Sequence, residues 1–130
     1  MIPKFRVWDE DNHKMSYSDY YNVVVLSDKV YLRETLRKHQ KEGKEPLVES
    51  NVKDEYIMPL AYSDGKTTIY DKDIIRDWST GELGVVVYDN EDCAWKVQTD
   101  TTEDWLYNWL DYDVIGNIYE NPELLESVEE

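Results

Sequence analysis

Short apolar runs, many of them β-branched, recur along the chain between clusters of Gly, Asn, Asp and Ser, and the rhythm is densest from Ile69 to Val97. Ile69-Tyr70 precedes Asp71-Lys72-Asp73, and Ile74-Ile75 leads through Arg76-Asp77-Trp78 to the polar Ser79-Thr80-Gly81-Glu82. Leu83-Gly84-Val85-Val86-Val87-Tyr88 follows, then Asp89-Asn90-Glu91-Asp92 and a third run from Cys93 to Val97. Such runs, bounded by turn residues at short spacing, read as strands joined by tight turns. Consecutive strands pair with their neighbours, so residues 55–99 are expected to form an antiparallel meander whose twist curls it into a small barrel.

Upstream, Lys4-Phe5-Arg6-Val7-Trp8 alternates polar and apolar positions as a strand does. Asp9 to His13 supplies a turn and Lys14 to Tyr17 returns, which predicts an N-terminal hairpin; Tyr20 to Leu26, with three valines in a row, completes an all-strand segment over residues 1–26. Ser27 or Asp28 can cap a helix over 28–42, ended by Gly43 and Pro46. Residues 43–54 read as an exposed connection. Tyr56 to Tyr62 is extended again, and Pro59 restricts it to an edge or an interrupted strand.

In the last part, residues 100–126, Asp100 and Glu103 fit the cap and third positions of a short helix. Trp105, Leu106, Trp109 and Leu110 recur at helical spacing, laying two tryptophans on the sheet. Val114 to Tyr119 is a last strand, in which Gly116 permits a bulge or a close backbone approach. Asn121-Pro122-Glu123 opens a final helical turn. The fold class expected is therefore mainly β with short helices (α+β), with two or three helices packed outside the barrel.

Composition adds three constraints. At 130 residues the chain needs only one domain, residues 1–130, with a single core. Eleven Tyr and five Trp stand against one Phe, so much of the apolar area carries a polar tip that belongs at boundaries and interfaces. The net charge of −15 repels phosphate backbones and anionic lipid, so neither a membrane nor nucleic acid is the expected partner. No Lys or Arg follows Lys96, which makes the last quarter an acidic surface. Cys93 is the only cysteine, so no intrachain disulfide can form, and with no signal-like apolar segment near Met1 a cytoplasmic location is expected.

Candidate chemistry is sparse. Asp9-x-Asp11-x-His13 begins like a Ca²⁺ loop, but Lys14 stands where that loop needs Gly and Tyr20 where it needs a bidentate Glu; an Asx-rich hairpin turn accounts for it. Cys93 follows acidic and amide residues that do not activate a thiolate, and beside Ala94 and Trp95 it reads as a core residue of a strand. Asp71 and Asp73 suit a structural role, accepting backbone N–H groups at a tight corner. No residues are assigned to catalysis, a cofactor or a metal.

One charge pattern asks for a partner. Lys29, Arg33, Arg37 and Lys41 fall at i, i+4, i+8 and i+12 on the expected helix, a basic ridge about three turns long. The commonest outcome for such a ridge is simple solvation; failing that, something acidic should face it, first the chain's own C-terminal segment with Glu123 and Glu126, otherwise a neighbouring copy of the chain or phosphate.

Two resemblances bear on the fold and family. The order of strand, Asp, two apolar residues, turn and Gly-Val-Val resembles the core of SH3-like barrels. Val114 to Glu126, Val-Ile-Gly-Asn-Ile-Tyr-Glu-Asn-Pro-Glu-Leu-Leu-Glu, resembles the C-terminal signature of the YopX family of phage and prophage proteins. Lys4 to Asp9 followed by Lys14-Met15 resembles that family's opening. Ile69-Tyr70-Asp71-Lys72-Asp73-Ile74-Ile75 resembles its central Ile-Tyr-Glu-Gly-Asp-Ile-Val motif, with Gly84-Val85-Val86 downstream. The chain departs from the pattern at Lys72, where the family usually has Gly, and at Leu60-Ala61-Tyr62-Ser63, where it usually has Gln-Tyr-Thr-Gly; Tyr17 to Tyr62 carries no match. The resemblance implies a phage-derived protein acting inside a bacterial host and brings no catalytic residues with it.

Three functions are compatible with these features. The first is a non-enzymatic protein-interaction module, self-associating or bound to a host or phage protein, for which the aromatic surplus is the motive. The second is an acidic mimic of DNA phosphate that occupies a host nucleic-acid-binding protein through Asp100 to Glu130. The third is weak nucleic-acid binding through the ridge, for which four phosphate contacts give a salt slope of about −3.6.

Overall fold

The computed structural model describes residues 4–18, 23–26, 29–43 and 52–126. Antiparallel strands dominate it and the helices are few and short. Its contacts divide the chain into two compact units, Met1–Pro59 and Leu60–Glu130. Where the length requires only one core, the buried apolar residues form two clusters, one in each unit.

In the first unit, β1 (Phe5–Asp9) and β2 (Lys14–Tyr17) form the expected hairpin, closed by the pair Asp9↔Lys14. All five residues of β1 are buried, Arg6 and Asp9 included. β3 (Val23–Leu26) and β4 (Lys29–Leu32) make a second hairpin, in register Val25↔Val30 and Leu26↔Lys29. Helix α1 (Arg33–Lys41) follows directly. Phe5, Val7, Leu32 and Val52 form the core, with Val23, Val30, Tyr56 and Ile57 packed against it.

The second hairpin corrects the expected helix over 28–42. Lys29 to Leu32 is strand, because Val23, Val24 and Val25 offer a β-branched partner to Val30, Tyr31 and Leu32, and that pairing outweighs local helical spacing. The helix starts at Arg33 without a side-chain cap. Ser27 and Asp28, expected to cap it, lie outside the described residues, as do 44–51 of the expected connection.

Strand β5 (Ile57–Ser63) changes partner at Pro59: Ile57, Met58 and Pro59 pair with β1, whereas Leu60 to Ser63 pair with β6 (Thr68–Tyr70) in the second unit. β5 itself runs unbroken through Pro59, so what was expected as an edge or an interruption is a change of partner along one continuous strand. The second unit then builds the meander: β7 (Asp73–Asp77), β8 (Leu83–Asp89), β9 (Ala94–Gln98) and β10 (Glu103–Trp105), with β11 (Tyr112–Asn117) on the far side of β7. Every pairing in this five-stranded sheet is antiparallel. Ile75, Val86 and Val97 of this sheet are fully buried in one cluster with Ile69 of β6. A short helix, α2 (Glu123–Glu126), follows β11.

One chemistry turns most corners of the second unit among the described residues. Asp64, Asp77, Asp89, Thr99 and Asn117 each use one side-chain oxygen to accept the N–H groups two and three residues ahead, at 2.7–3.3 Å. Asp9 accepts the Asn12 N–H in the first unit, so the Asp9-x-Asp11-x-His13 run is an Asx turn, as expected. Asp73 accepts the buried N–H of Tyr70 at 2.8 Å, the structural role anticipated for it.

Two further expectations are corrected. Residues 103–108 are strand β10 and a single 3-10 turn at Leu106–Asn108 where a short helix was expected. The Thr99 hydroxyl holds a tight turn with Thr102 in place of a helix cap, and Glu103, placed opposite Gln98, gives its carboxylate to Lys96 and Gln98. Cys93 is exposed at the end of the β8–β9 turn with φ 50°, outside both the strand and the core.

Candidate functional site

The second unit holds a groove of about 600 Å³ whose walls carry six aromatic rings: Tyr62, Trp78, Trp95, Tyr107, Trp109 and Tyr112. Its floor is continuous with the core, since Trp95, Trp109 and Tyr112 pack against the buried Ile69, Ile75, Val86 and Val97 cluster. Its rim faces water. Tyr62 is 44% exposed, Trp78 63%, Tyr107 72% and Leu110 82%, an exposure of apolar area that a folded chain rarely leaves without a use.

The sequence places each ring through the corners. Trp78 is the first residue beyond β7, and its backbone N–H donates to the Asp111 carbonyl at 3.0 Å, which ties it to the entry of β11. Tyr107 sits in the 3-10 turn after β10, stacked on Trp105 at 5.8 Å between centroids. Trp105 is itself covered by the Lys96 ammonium, 4.8 Å above its ring. The rim is therefore held by turns whose polar side chains are already engaged.

Among the described residues the charged ones lining the groove are Asp64 and Asp111, and none of those lining it is Lys, Arg or His. The N–H groups of Thr67 and Lys66 hold the Asp64 carboxyl below the usual carboxylate range. Tyr62 donates its hydroxyl to the other Asp64 oxygen at 3.2 Å, and this bond, with the charge behind it, pushes the phenol above its ordinary value. Burial, then Tyr62 and Asp64, raise Tyr112 likewise. The phenols thus stay neutral at physiological pH while the carboxylate is ionised, which suits cations and apolar surface better than anions.

Unit 1 has eleven Asp+Glu and ten Lys+Arg, a net of −1, and unit 2 has eighteen and four, a net of −14, which together give the −15 of the whole chain. The groove lies in the acidic unit.

The residues singled out from the sequence are distributed differently. Lys29 opens β4, so the ridge on α1 shortens to Arg33, Arg37 and Lys41. Arg33 is half-buried, Arg37 and Lys41 are exposed. Glu34, on the same helix, takes the Lys14 ammonium at 3.6 Å and the Asn12 amide at 3.3 Å. Glu123 is exposed in the second unit, and the Glu126 side chain lies outside the described residues. The rim residues Trp78, Tyr107 and Leu110 were not picked out as a site; the surplus of Tyr and Trp was the signal that pointed to them. Among the described residues no cluster of His, Cys, Asp and Glu is arranged to hold a metal, and no helix is long and apolar enough to cross a membrane.

Comparison with known proteins places this arrangement. A crystal structure of the protein yopX from Bacillus subtilis is similar in fold, with 21% sequence identity, 96% of this chain and 99% of that one covered, and a TM-score of 0.53. No curated protein matches the sequence. The sequence model of the YopX protein family matches residues 4–126, a span that takes in both the opening, central and C-terminal motifs and the stretch from Tyr17 to Tyr62. The chain belongs to the YopX protein family.

Proposed function

We propose that this chain is a non-enzymatic protein-interaction module, encoded by a phage or prophage and acting in the cytoplasm of its bacterial host, whose second unit takes a protein partner on the aromatic groove. The exposed rim of Trp78, Tyr107 and Leu110 over a floor continuous with the core carries this reading. Aromatic anchors of this kind dominate the energetics of interface centres. The polar groups in the groove support binding more than chemistry: the Asp64 carboxylate is committed to its own turn and to Tyr62. We read the curled five-stranded sheet that supports it as a small barrel of the SH3-like kind.

Affinity capture from the bacterial host, with the wild-type chain and with a Trp78→Ala, Tyr107→Ala double variant side by side, tests the assignment. A partner held by the wild type and released by the variant supports it. A partner held equally by both places binding elsewhere on the molecule and removes the assignment. Self-association through the groove registers in the same comparison as a change in hydrodynamic size.

The charge of the second unit favours one other reading, an acidic surface that imitates DNA phosphate toward a host nucleic-acid-binding protein. It requires that neutralising Glu123, Glu126, Glu129 and Glu130 abolish inhibition of that protein while the groove variant leaves it intact.

A further inference from the structure

Resting on the reading of the groove as a partner site, we infer that its occupant is an extended peptide segment of a partner protein, anchored by arginine or lysine side chains laid on the aromatic rim. Complementarity is the argument. Among the described residues the charges at the groove are Asp64 and Asp111 and the lining holds no cation, and the unit around it is at −14. An acidic or phosphorylated segment would meet repulsion on every side, and a purely apolar one would leave both carboxylates in a partly dried cleft.

The rings add what charge alone does not supply. A guanidinium or ammonium gains from an aromatic face, and its methylene stem covers apolar area at the same time. Trp78 and Tyr107, 63% and 72% exposed, offer aromatic surface at the rim, Tyr107 on the side away from the Trp105 it stacks on, and Tyr62 reaches the Asp64 carboxylate with its hydroxyl at 3.2 Å. A cation seated there meets a π face and a carboxylate together. Lys96 already does this elsewhere in the same unit, lying 4.8 Å over the Trp105 ring with Asp89 and Asp92 each at 2.7 Å from its ammonium.

An extended segment suits the site better than a lone cation. A volume of about 600 Å³ is more than one side chain fills, and the rim contains Leu110, 82% exposed, which offers apolar contact to the residues flanking an anchor. Steering by the −14 unit would make association salt-dependent, while the rings would fix where the segment settles.

Titration of tryptophan fluorescence with a synthetic decapeptide of alternating Arg and Pro, its citrulline counterpart and spermidine tests this on the full chain. The Arg peptide should bind at least tenfold more tightly than the citrulline peptide, which keeps the shape and loses the charge. Trp78→Ala and Tyr107→Ala should each weaken it about tenfold, and Asp64→Asn with Asp111→Asn should weaken it further at low salt than at high salt. Equal binding of the citrulline peptide overturns the cation requirement, and equal binding by the Trp78→Ala and Tyr107→Ala variants means that general acidity, not the groove, attracts the peptide. Spermidine as tight as the peptide and fully competitive with it overturns the peptide in favour of a small polycation. If the groove-dependent partner of the capture experiment is retained while no cationic peptide binds or competes with it, this inference falls and the interaction reading stands. Because both substitutions remove exposed rings, a thermal melt matching the wild type confirms that each variant is folded.

Discussion

The backbone N–H of Ile118 donates to the carbonyl of Lys72 at 3.1 Å, which closes the C-terminal motif onto the central one. Lys72 in turn donates its own N–H to the Val86 carbonyl at 2.8 Å, so one corner residue links β8 to the turn beyond β11. The register continues the contact: Asn117 opposes Asp73, Gly116 opposes Ile74 and Val114 opposes Ile75, with a bulge between Val114 and Gly116. Segments 39 to 46 residues apart in sequence are thus one structural element.

Lys72 sits at that corner with φ 72°, the left-handed region in which glycine is at ease and other residues are strained. The Gly that the family usually has here therefore reads as a backbone requirement. Lys72→Gly and Lys72→Ala both lose the 3.2 Å ion pair with Asp71, so comparing them isolates the backbone effect. The glycine variant should be the more stable by about 1 kcal/mol. Equal stabilities in urea would show that the corner is not strained. Trp78, Trp95, Trp105 and Trp109 all lie in the second unit, so fluorescence follows mainly the unit in question.

Gly84 has a different reason to be glycine. A Cβ there would collide with the Val97 side chain, which is fully buried, and would touch Trp109. Gly84→Ala should cost about 1–3 kcal/mol through overpacking. Val97→Ala makes room, so the double variant should be less destabilised than the sum of the singles, by more than about 0.5 kcal/mol. Additive losses would mean that the sheet shifts instead of Val97.

Much of the second unit was legible because its corners are written locally. Asp77 and Asp89 end their strands and fold the next residues around one carboxylate, so the ends of β7 and β8 follow from turn residues alone, whereas the start of β9 at Ala94, one residue beyond the left-handed Cys93, does not. Lys29 to Leu32 was not legible in that way. Its strand depends on a partner, Val23 to Leu26, and read alone it continues the helical spacing of Arg33, Arg37 and Lys41. Thr99 to Glu103 failed for a subtler reason: Ser, Thr and Asp favour helix caps and tight turns through the same side-chain bond to backbone N–H. Only the pairing of Glu103 with Gln98 decides between them. The groove inherits this difficulty, since Tyr107 takes its place from β10 and Trp78 from the tie to Asp111.

Lys96 predicts a pH signature. Its ammonium lies 2.7 Å from Asp89, 2.7 Å from Asp92 and 3.2 Å from Glu103, and Asp89, then Asp92, hold its pKa well above the usual lysine value. Lys96 in turn lowers Asp89. A raised lysine contributes stability that is complete below its unfolded value and fades as pH rises through the folded one. The depressed Asp89 contributes above its unfolded value and fades as pH falls. Lys96→Met, which keeps contact with Trp105, should melt lower than the wild type near neutral pH. The difference should shrink in acid, below the ordinary aspartate range, as the depressed Asp89 protonates. A deficit that persists unchanged in acid would assign it to packing.

The three β-hairpins closed by Asp9, Asp77 and Asp89 share one further feature, a left-handed residue four positions after the Asp. His13 has φ 53°, Gly81 φ 74° and Cys93 φ 50°. The carboxylate fixes the first half of each loop and the left-handed residue reverses the chain into the next strand, so the same backbone is built on three different side chains. If backbone conformation decides stability at these positions, Gly81→Ala should cost about 1 kcal/mol, and Cys93→Gly should be more stable than Cys93→Ala by a similar amount. The exposed thiol makes weak contacts, an S–H bond to the Asn90 carbonyl at 3.6 Å and an interaction with the Tyr88 hydroxyl, so Cys93→Ala itself should change little. Urea denaturation of the three variants under reducing conditions reads all of this directly. Should Cys93→Ala prove strongly destabilising while Cys93→Gly offers no recovery, the side chain and not the turn would be what that position requires.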